Sequence, residues 1–288
     1  MRRFDFSVHP ATFLVGLDGR TGLWIDQITA FCAQWKRDQS KTEFPNRVGL
    51  FGGGGGGPTT VLCPSNSAIS GWTIHQTRAT PPMVEFVWPK CRTILPPNAV
   101  VDAGDLKFGE FHPPEQSLFS HPFGAAEVVR DCPKFELAIG LHGASGSHVD
   151  RLGLICGPVP PIRVRSATGK CLDVHAPDQL KNGGRVQVWD CNNQDQQDWR
   201  VIDRALVTKK GKCLDVHAPD QNKNGGRVQI WDCNGSPQQQ WSMPDGKSLR
   251  SAAGKCLDVN APDQGVNGGR VQVWDCNGSQ QQRWLVRG

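Results

Sequence analysis

Several common features are missing from this 288-residue sequence. It has no tyrosine, so any aromatic surface must come from its 10 tryptophans and 12 phenylalanines. No apolar run approaches the length of a membrane-spanning helix, and we therefore expect no membrane insertion. No Cys-x-x-Cys pair occurs and the histidines do not stand at ligand spacing from the thiols, so we expect no metal and no cofactor.

Nucleotide and nucleic-acid binding are also disfavoured. The glycine run at residues 52–57 lacks the Lys-Ser/Thr ending of a phosphate-binding loop. Lysine and arginine number 32 against 27 acidic residues, but the excess falls in the second half of the chain, where the recurring cations of the repeat units stand singly and form no stripe. The sequence therefore predicts no nucleic-acid partner.

The clearest positive feature is a tandem repeat in the second half of the chain. The segment GGRVQVWDCN begins at Gly183 and returns, nearly unchanged, at Gly225 and Gly268. Each copy follows a GKCLDV segment and precedes a glutamine-rich run that ends on tryptophan. Three such copies, about 42 residues apart, predict a repeat architecture.

Each repeat alternates short β-rich runs with turn clusters such as APDQ and NGG, and none shows a helical apolar period. A unit this small cannot bury its own apolar face, so three units must share one core. Trp199, Trp241 and Trp284 are the expected centre of that core, where each indole N–H needs a polar partner.

These residues resemble the ricin B-type β-trefoil lectins, in which three units carry CLDV, QxWxC and QxW segments. The resemblance covers about residues 161–288. It implies a three-lobed closed β structure in which each lobe can hold a sugar at its surface. A pyranose presents hydroxyls that need carboxylate and amide partners, and a C–H face that packs on an aromatic ring.

By motif position, one aspartate per lobe accepts hydroxyl hydrogen bonds, one tryptophan stacks on the sugar, and glutamines contact the sugar or orient the aspartate. The alternative is that these motifs are only scaffold. The predicted site residues are Asp173, Gln187, Trp189, Gln196 and Gln197 in the first lobe, Asp215, Gln229, Trp231, Gln238 and Gln239 in the second, and Asp258, Gln272, Trp274, Gln281 and Gln282 in the third.

The 11 cysteines indicate an oxidising compartment. Each repeat has two cysteines 20 residues apart, which predicts the pairs Cys171–Cys191, Cys213–Cys233 and Cys256–Cys276. The five cysteines of the first half cannot all pair within the chain. Pairing Cys63–Cys91 and Cys132–Cys156 leaves Cys32 free, whereas pairing Cys32–Cys63 and Cys91–Cys132 leaves Cys156 free. The odd thiol makes a disulfide-linked homodimer one alternative, beside a non-covalent one.

A fainter threefold pattern runs through the first half. GLDGRTGLWIDQITAFC at residues 16–32 aligns with GLHGASGSHVDRLGLIC at residues 140–156, and a degenerate copy ends at Cys91. This pattern resembles the jacalin-like β-prism lectins, with their glycine loop and their Gly-x-x-x-Asp turn. In that family the turn grips a sugar through a backbone N–H and the Asp carboxylate. The resemblance implies one site at Gly22, Leu23, Trp24 and Asp26, and another at Gly146, Ser147, His148 and Asp150; the alternative is ordinary hairpin chemistry.

The first half shows no clear catalytic constellation. Ser145 lacks the glycine spacing of a nucleophile elbow, and the Gly-x-x-x-Asp turn explains His148 and Asp150 better than catalysis does. The sequence therefore predicts a protein that is not an enzyme. The main alternative is an effector, either a toxin or a glycoside hydrolase, that acts after the trefoil docks on glycans. A third is an adhesive protein with vestigial sites.

The sequence thus predicts an all-β protein: a pseudo-threefold β-prism-like domain at residues 1–157, a proline-rich linker at 158–161, and a β-trefoil at 162–288 with repeats at 162–201, 202–243 and 244–288. Its expected function is multivalent recognition of cell-surface or extracellular glycans, of galactose or N-acetylgalactosamine type through the trefoil. We expect a secreted protein, although the first residues show no apolar run long enough for a secretion signal; a removed signal or another export route would explain this.

Overall fold

The computed structural model describes residues 2–7, 12–34, 46–64, 67–78, 82–93 and 125–287. The chain divides into two compact units, whose boundary in this part of the sequence lies between Val159 and Pro160. Residues 1 and 8–11 of the N-terminal segment, and residues 79–81 of the degenerate middle copy, lie outside the described residues.

The described residues of the first unit form ten strands: β1 (Arg2–Ser7), β2 (Thr12–Thr21), β3 (Ile25–Gln34), β4 (Asn46–Gly52), β5 (Gly57–Leu62), β6 (Ser67–Thr77), β7 (Val84–Thr93), β8 (Ala125–Asp131), β9 (Glu136–Ser145) and β10 (Val149–Pro158). They form three antiparallel sheets, with strand orders β4-β3-β2-β5, β7-β6-β8 and β1-β9-β10. The central strands β2, β6 and β9 pack against one another.

Each sheet contains one hairpin from the faint sequence repeat, namely β2–β3, β6–β7 or β9–β10. The aliphatic residues of these hairpins, including Leu17, Ile69 and Leu141, are fully buried in one shared core. The three hairpins therefore follow the threefold pattern of the sequence. Whether this unit is a jacalin-like β-prism stays a prediction.

Two disulfides, Cys63–Cys91 and Cys132–Cys156, join strands of the first unit. The first of the two pairing alternatives is thus the one in the structure. Cys32 is the free cysteine, and only 2% of its surface is exposed. A thiol buried this deeply cannot bridge two folded chains, so the burial argues against a covalent dimer through Cys32.

Between residues 160 and 287, the second unit has twelve strands: β11 (Arg163–Ser166), β12 (Cys171–Val174), β13 (Gly184–Trp189), β14 (Trp199–Ile202), β15 (Ala205–Thr208), β16 (Lys212–Val216), β17 (Gly226–Asp232), β18 (Trp241–Ser242), β19 (Arg250–Ser251), β20 (Cys256–Val259), β21 (Gly269–Trp274) and β22 (Trp284–Arg287). Six single-turn 3-10 helices connect them: Ala176–Asp178, Asp195–Gln197, Ala218–Asp220, Pro237–Gln239, Ala261–Asp263 and Gln280–Gln282.

Four strands make up each lobe, and the last strand, β22, pairs with the first, β11, to close the structure. The three strands β13, β17 and β21 also pair with one another in a ring. This closed arrangement of three lobes confirms the predicted β-trefoil. Within each lobe the expected disulfide is present: Cys171–Cys191, Cys213–Cys233 and Cys256–Cys276.

The QxW tryptophans occupy the core, as expected, with Trp199, Trp241 and Trp284 no more than 3% exposed. The indole N–H of each donates to the backbone carbonyl of the leucine in its own CLDV strand, at 2.9 to 3.0 Å. A buried indole keeps its hydrogen bond in this way. The CLDV and QxW motifs therefore hold each other in place.

The two glycines of each NGG turn have different structural reasons, one in the backbone conformation and one in close packing. The first glycine of each pair has a positive φ of 77 to 83°, a conformation that favours glycine. The second, such as Gly184, pairs with Ile230 in the strand of a neighbouring lobe. A Cβ on Gly184 would lie 2.7 Å from the carbonyl oxygen of Asp178 and 2.8 Å from Cγ1 of Ile230.

Polar contacts also link each lobe to the next. Asn182 of the first lobe accepts hydrogen bonds from the backbone N–H of Asp232, at 2.8 Å, and from Nζ of Lys212, at 2.9 Å. It donates in return to the Asp232 carboxylate at 2.7 Å. Asn224 makes the same contacts with Lys255 and Asp275, as does Asn267 with Lys170 and Asp190.

None of the helices among the described residues is long and apolar enough to span a membrane.

Candidate functional site

The site of each trefoil lobe begins with a cross-strand pair. In the second lobe, Asp215 on β16 lies directly opposite Gln229 on β17. Because residues two apart in a strand share a face, Trp231 lies on the same side as Gln229. Asp215 is only 6% exposed and Gln229 3%, whereas Trp231 is 38% exposed. The strand pairing therefore sets a buried carboxylate beside an accessible indole.

Two glutamines hold the carboxylate of Asp215. Nε2 of Gln229 donates to Oδ1 at 2.8 Å, and Nε2 of Gln239 donates to Oδ2 at 3.2 Å. Gln239 also donates to the carbonyl of Asp232 and accepts from the N–H of Asn234, so it is fixed at both ends of its amide. A carboxylate oxygen accepts more than one hydrogen bond, and each oxygen of Asp215 thus keeps a free lone pair.

The other two lobes repeat this arrangement. Asp173 is held by Gln187 and Gln197 at 2.8 and 3.1 Å, and Asp258 by Gln272 and Gln282 at 3.0 and 3.2 Å. The tryptophans Trp189 and Trp274 are 37% and 38% exposed. All three lobes therefore keep the same buried acceptor and the same half-exposed ring.

Burial raises the pKa of all three carboxyls above the ordinary aspartate value. Removal of water from the charged form is the main cause. Hydrogen bonds from the paired glutamines oppose it, and for Asp173 and Asp215 a nearby histidine opposes it as well.

In the second lobe these side chains open onto a pocket of about 450 Å³. Its lining includes the predicted residues Asp215, Gln229, Trp231 and Gln238. It also includes His217, which the sequence left open between a pocket residue and an exposed loop residue, and three residues that the sequence did not single out: Arg227, Asn234 and Ser236. His217 directly follows the CLDV segment, two residues after Asp215, and this position is the feature of the sequence that indicates its place in the pocket.

The predicted glutamines divide into two groups. Six of them are buried and donate to the aspartates: Gln187, Gln229 and Gln272 on the strands, and Gln197, Gln239 and Gln282 in the 3-10 helices. Their neighbours Gln196, Gln238 and Gln281 are half-buried, and among the described residues none of them bonds to these carboxylates. Gln238 instead lines the outer part of the pocket.

In the first unit, the two predicted Gly-x-x-x-Asp turns have the same geometry. The N–H of Gly22 donates to the carbonyl of Trp24, and the N–H of Gly146 donates to the carbonyl of His148, both at 2.9 Å. Asp26 and Asp150 are buried at the ends of these turns. Leu23 and Ser147 are exposed, and Trp24 and His148 are half-buried.

The structure brings these two turns together instead of leaving them as separate sites. Nε2 of His148 lies 3.4 Å from Oδ1 of Asp26. The glycine loop at residues 52–57 packs between them, because the N–H of Gly53 donates to the carbonyl of Asp26 at 2.7 Å. A Cβ on Gly55 would lie 2.5 Å from the Asp26 carboxylate, which explains why this loop is glycine.

The loop is held from its other side by Arg20. Its guanidinium donates to the carbonyls of Gly55 and Gly56 at 2.7 and 2.6 Å. In the degenerate middle copy, Glu85 replaces the aspartate, is buried, and bonds to His75. That copy therefore uses its carboxylate internally, in keeping with the loss of a site there.

Among the described residues there is no group of three or more side chains that could hold a metal ion.

Comparisons with known proteins place the trefoil in a family. The family model described as the ricin-type beta-trefoil lectin domain matches residues 160–284. A search of curated protein sequences returned no match.

Solved structures resemble the same part of the chain. A designed threefold-symmetric protein, ThreeFoil, is 27% identical with a TM-score of 0.41, and the match covers 44% of this chain and 98% of that one. The agglutinin from Abrus precatorius is 25% identical with a TM-score of 0.39, over 44% of this chain and 48% of that one. The Vibrio vulnificus hemolysin/cytolysin β-trefoil lectin, solved with N-acetyl-D-lactosamine, is 23% identical with a TM-score of 0.37, over 44% and 93%.

The matched sequence, the closed ring of three lobes and the repeated aspartate, glutamine and tryptophan agree with one another. Residues 160–284 are therefore a ricin-type β-trefoil lectin domain.

Proposed function

We propose that the trefoil binds one saccharide in each of its three lobes. The observation that carries this proposal is the threefold recurrence of a buried aspartate, fixed by two glutamines, beside a half-exposed tryptophan. The free lone pairs of the carboxylate accept sugar hydroxyls, and the indole packs on the C–H face of the ring. We propose galactose-type sugars as the ligands, as the family resemblance implies.

We further propose that the first unit has one composite carbohydrate site. Asp26, His148 and the glycine loop support it, since they place a buried carboxylate, an imidazole and backbone groups within one small area. Asp150 and the exposed Ser147 border this area from the second turn. A saccharide held here would contact both turns, in contrast to the two separate sites expected from the sequence.

Binding without bond cleavage is the activity that we propose for the whole chain, at an extracellular location. Five disulfides support that location, because such bonds persist in oxidising compartments. The partners would be glycoproteins, glycolipids or polysaccharides that present several copies of the sugar. Incubating the chain with a labelled oligosaccharide checks the absence of cleavage: shortened product would favour the hydrolase alternative.

A glycan array with the full chain tests both proposed sites. The variant W189A/W231A/W274A removes the three exposed rings of the trefoil, and D26N alters the composite site. W88A is a matched control, because Trp88 is 37% exposed but belongs to neither site. We expect each site variant to lose its own set of glycans, while W88A keeps all of them. If the triple variant binds every glycan as the wild type does, the trefoil proposal is wrong.

A further inference from the structure

One position that follows directly on the CLDV segment differs among the three lobes, although the Ala-Pro-Asp-Gln and Asn-Gly-Gly segments after it are the same in all three; the lysine between them, Lys181 and Lys223, is Val266 in the third lobe. The residue directly after CLDV is His175 in the first lobe, His217 in the second and Asn260 in the third. In every lobe this residue precedes a 3-10 helix of sequence Ala-Pro-Asp. It bonds to the aspartate of that helix: Nδ1 of His175 and His217 lie 3.1 and 2.9 Å from Asp178 and Asp220.

Asn260 makes the equivalent bond, because its Nδ2 donates to Asp263 at 2.8 Å. The amide nitrogen of asparagine therefore replaces the inner imidazole nitrogen. Holding the turn does not require histidine. What histidine adds is a second nitrogen, Nε2, on the outer edge of the ring.

His217 lines the pocket of the second lobe together with Asp215, Trp231 and Arg227. Its side chain is 35% exposed and that of His175 is 41% exposed, so both rings reach solvent. The charged groups around His217 are Asp215, Asp220 and Arg227, and Lys223 pairs with Asp220 at 3.3 Å. The first lobe has the corresponding Asp173, Asp178 and Arg185, and Lys181 pairs with Asp178.

The aspartate partner also sets the chemical character of the outer nitrogen. A carboxylate only accepts, so Nδ1 carries the proton of this hydrogen bond. In the neutral ring, Nε2 then has a free lone pair at the edge of the pocket. A sugar hydroxyl is a suitable donor to it.

We propose that Nε2 of His175 and His217 hydrogen-bonds the saccharide in the first two lobes, and that the third lobe lacks this contact. The trefoil then holds two sites of one specificity and one site of another. This inference rests on the proposed function of the trefoil and names a residue that distinguishes its sites.

The experiment uses full-length chains in which one lobe remains intact. W231A/W274A leaves the first lobe, W189A/W274A the second, and W189A/W231A the third. Each is applied to an array of immobilised mono- and disaccharides, with and without a change at the variable position: H175N, H217N or N260H. We expect H175N and H217N to weaken binding at their lobes about tenfold, the effect of one net hydrogen bond, and to give the glycan pattern of the third lobe.

The reverse change, N260H, should give the third lobe the pattern of the other two. Because asparagine keeps the bond to the helix aspartate, H175N and H217N should leave the melting temperature unchanged. If H175N or H217N nonetheless lowers the melting temperature, the N260H variant still tests the proposal, because it adds the outer ring nitrogen and keeps the bond to the helix aspartate.

Two failures are distinguishable. Equal glycan patterns for all three lobes, unaffected by the histidine and asparagine exchanges, would overturn this inference and leave the proposed function intact. A wild-type chain that binds no saccharide on the array would overturn the proposed function, and this inference with it.

Discussion

The buried aspartates of the trefoil face two opposing demands. In the proposed sites each must be charged to accept several sugar hydroxyls, yet each is buried, so that water is largely excluded from it. Desolvation accordingly raises the pKa of Asp173, Asp215 and Asp258, while the bound glutamines favour the charged form. Their protonation as the pH falls is therefore coupled to stability and, in the proposed sites, to sugar binding, with opposite signs.

For binding, we predict that sugar affinity of the trefoil falls as the pH is lowered toward these raised pKa values, because a protonated carboxyl loses acceptor capacity. For stability the sign is reversed. A carboxyl whose pKa is higher in the folded than in the unfolded chain contributes stability at low pH and loses it as the pH rises through the folded value. Sugar titrations monitored by tryptophan fluorescence between pH 7 and 4 check the first statement.

The stability effect is measured by comparing the wild type with D215N. The difference in unfolding free energy between them should shrink as the pH falls, because the wild-type carboxyl becomes neutral like the amide. A binding affinity that stays constant while these carboxyls become protonated would contradict their assignment as sugar acceptors.

Cys32 should be chemically inert in the folded chain. Burial raises the pKa of its thiol to about 12, and only the thiolate reacts readily. We predict that a thiol reagent labels no cysteine at pH 8 under native conditions and labels one per chain in denaturant without reductant. Labelling of the native chain would show that the first unit opens at β3.

At the scale of the element, the NGG turn and the strand that follows it determine how lobes join. We predict that G184A destabilises the trefoil by about 1 to 3 kcal/mol, the usual cost of overpacking, because its Cβ would meet both Ile230 and a backbone carbonyl. G265A is the matched control, since a Cβ there meets nothing within 4 Å. Chemical denaturation of both variants measures the difference, and equal midpoints would refute the explanation.

The asparagine of the same turn should also contribute measurably. N224A removes contacts with Lys255 and Asp275, and the side chain of Lys255 is only 14% exposed. We expect a loss of about 1 to 2 kcal/mol in unfolding free energy. N222A, two positions earlier in the same exposed loop, should lose little, and a comparable loss there would assign the effect to the loop in general.

The sequence predicted the elements of the trefoil well for a physical reason. Its motifs are local, and threefold repetition shows each of them three times, so CLDV, QxW and the cysteine pairs were assigned correctly. What it could not supply is contact between elements far apart in the chain. The roles of Gln229 and Gln239 on opposite oxygens of Asp215 depend on strand register, and the meeting of Asp26 with His148 depends on how two sheets pack.

Cysteine pairing in the first unit shows the same limit. Two pairings were equally consistent with the spacing, and only the strand arrangement selects the one that leaves Cys32 in the core. The position of His217 after CLDV likewise left two interpretations open, a pocket residue or an exposed loop residue, and the structure places it in the lining of the pocket.

At the scale of the whole molecule, the three proposed sites in one domain should make attachment to a surface depend on the density of its glycans. We predict that W274A lowers the number of soluble monosaccharides bound per trefoil from three to two without changing the affinity of the remaining sites. On a densely glycosylated surface, the same change should weaken the apparent affinity by about tenfold or more. Once one site is bound, the others meet surface sugars at a high effective concentration, and each lost site removes that gain. Calorimetry measures the number of monosaccharides bound, and surface binding measures the apparent affinity. If W274A removes one site in calorimetry but lowers the apparent affinity on the surface by no more than that one-third loss of sites, attachment is not multivalent.

The cyclic contacts between lobes have a consequence for assembly. Every lobe offers an asparagine to one neighbour and receives one from the other, so the contact is head-to-tail and closes after three steps. A head-to-tail interface that closes generates a ring, whether or not its members are covalently joined. A single lobe produced as a separate peptide should accordingly form a homotrimer, in which three identical peptides are held by the same contacts between neighbouring lobes without being covalently joined.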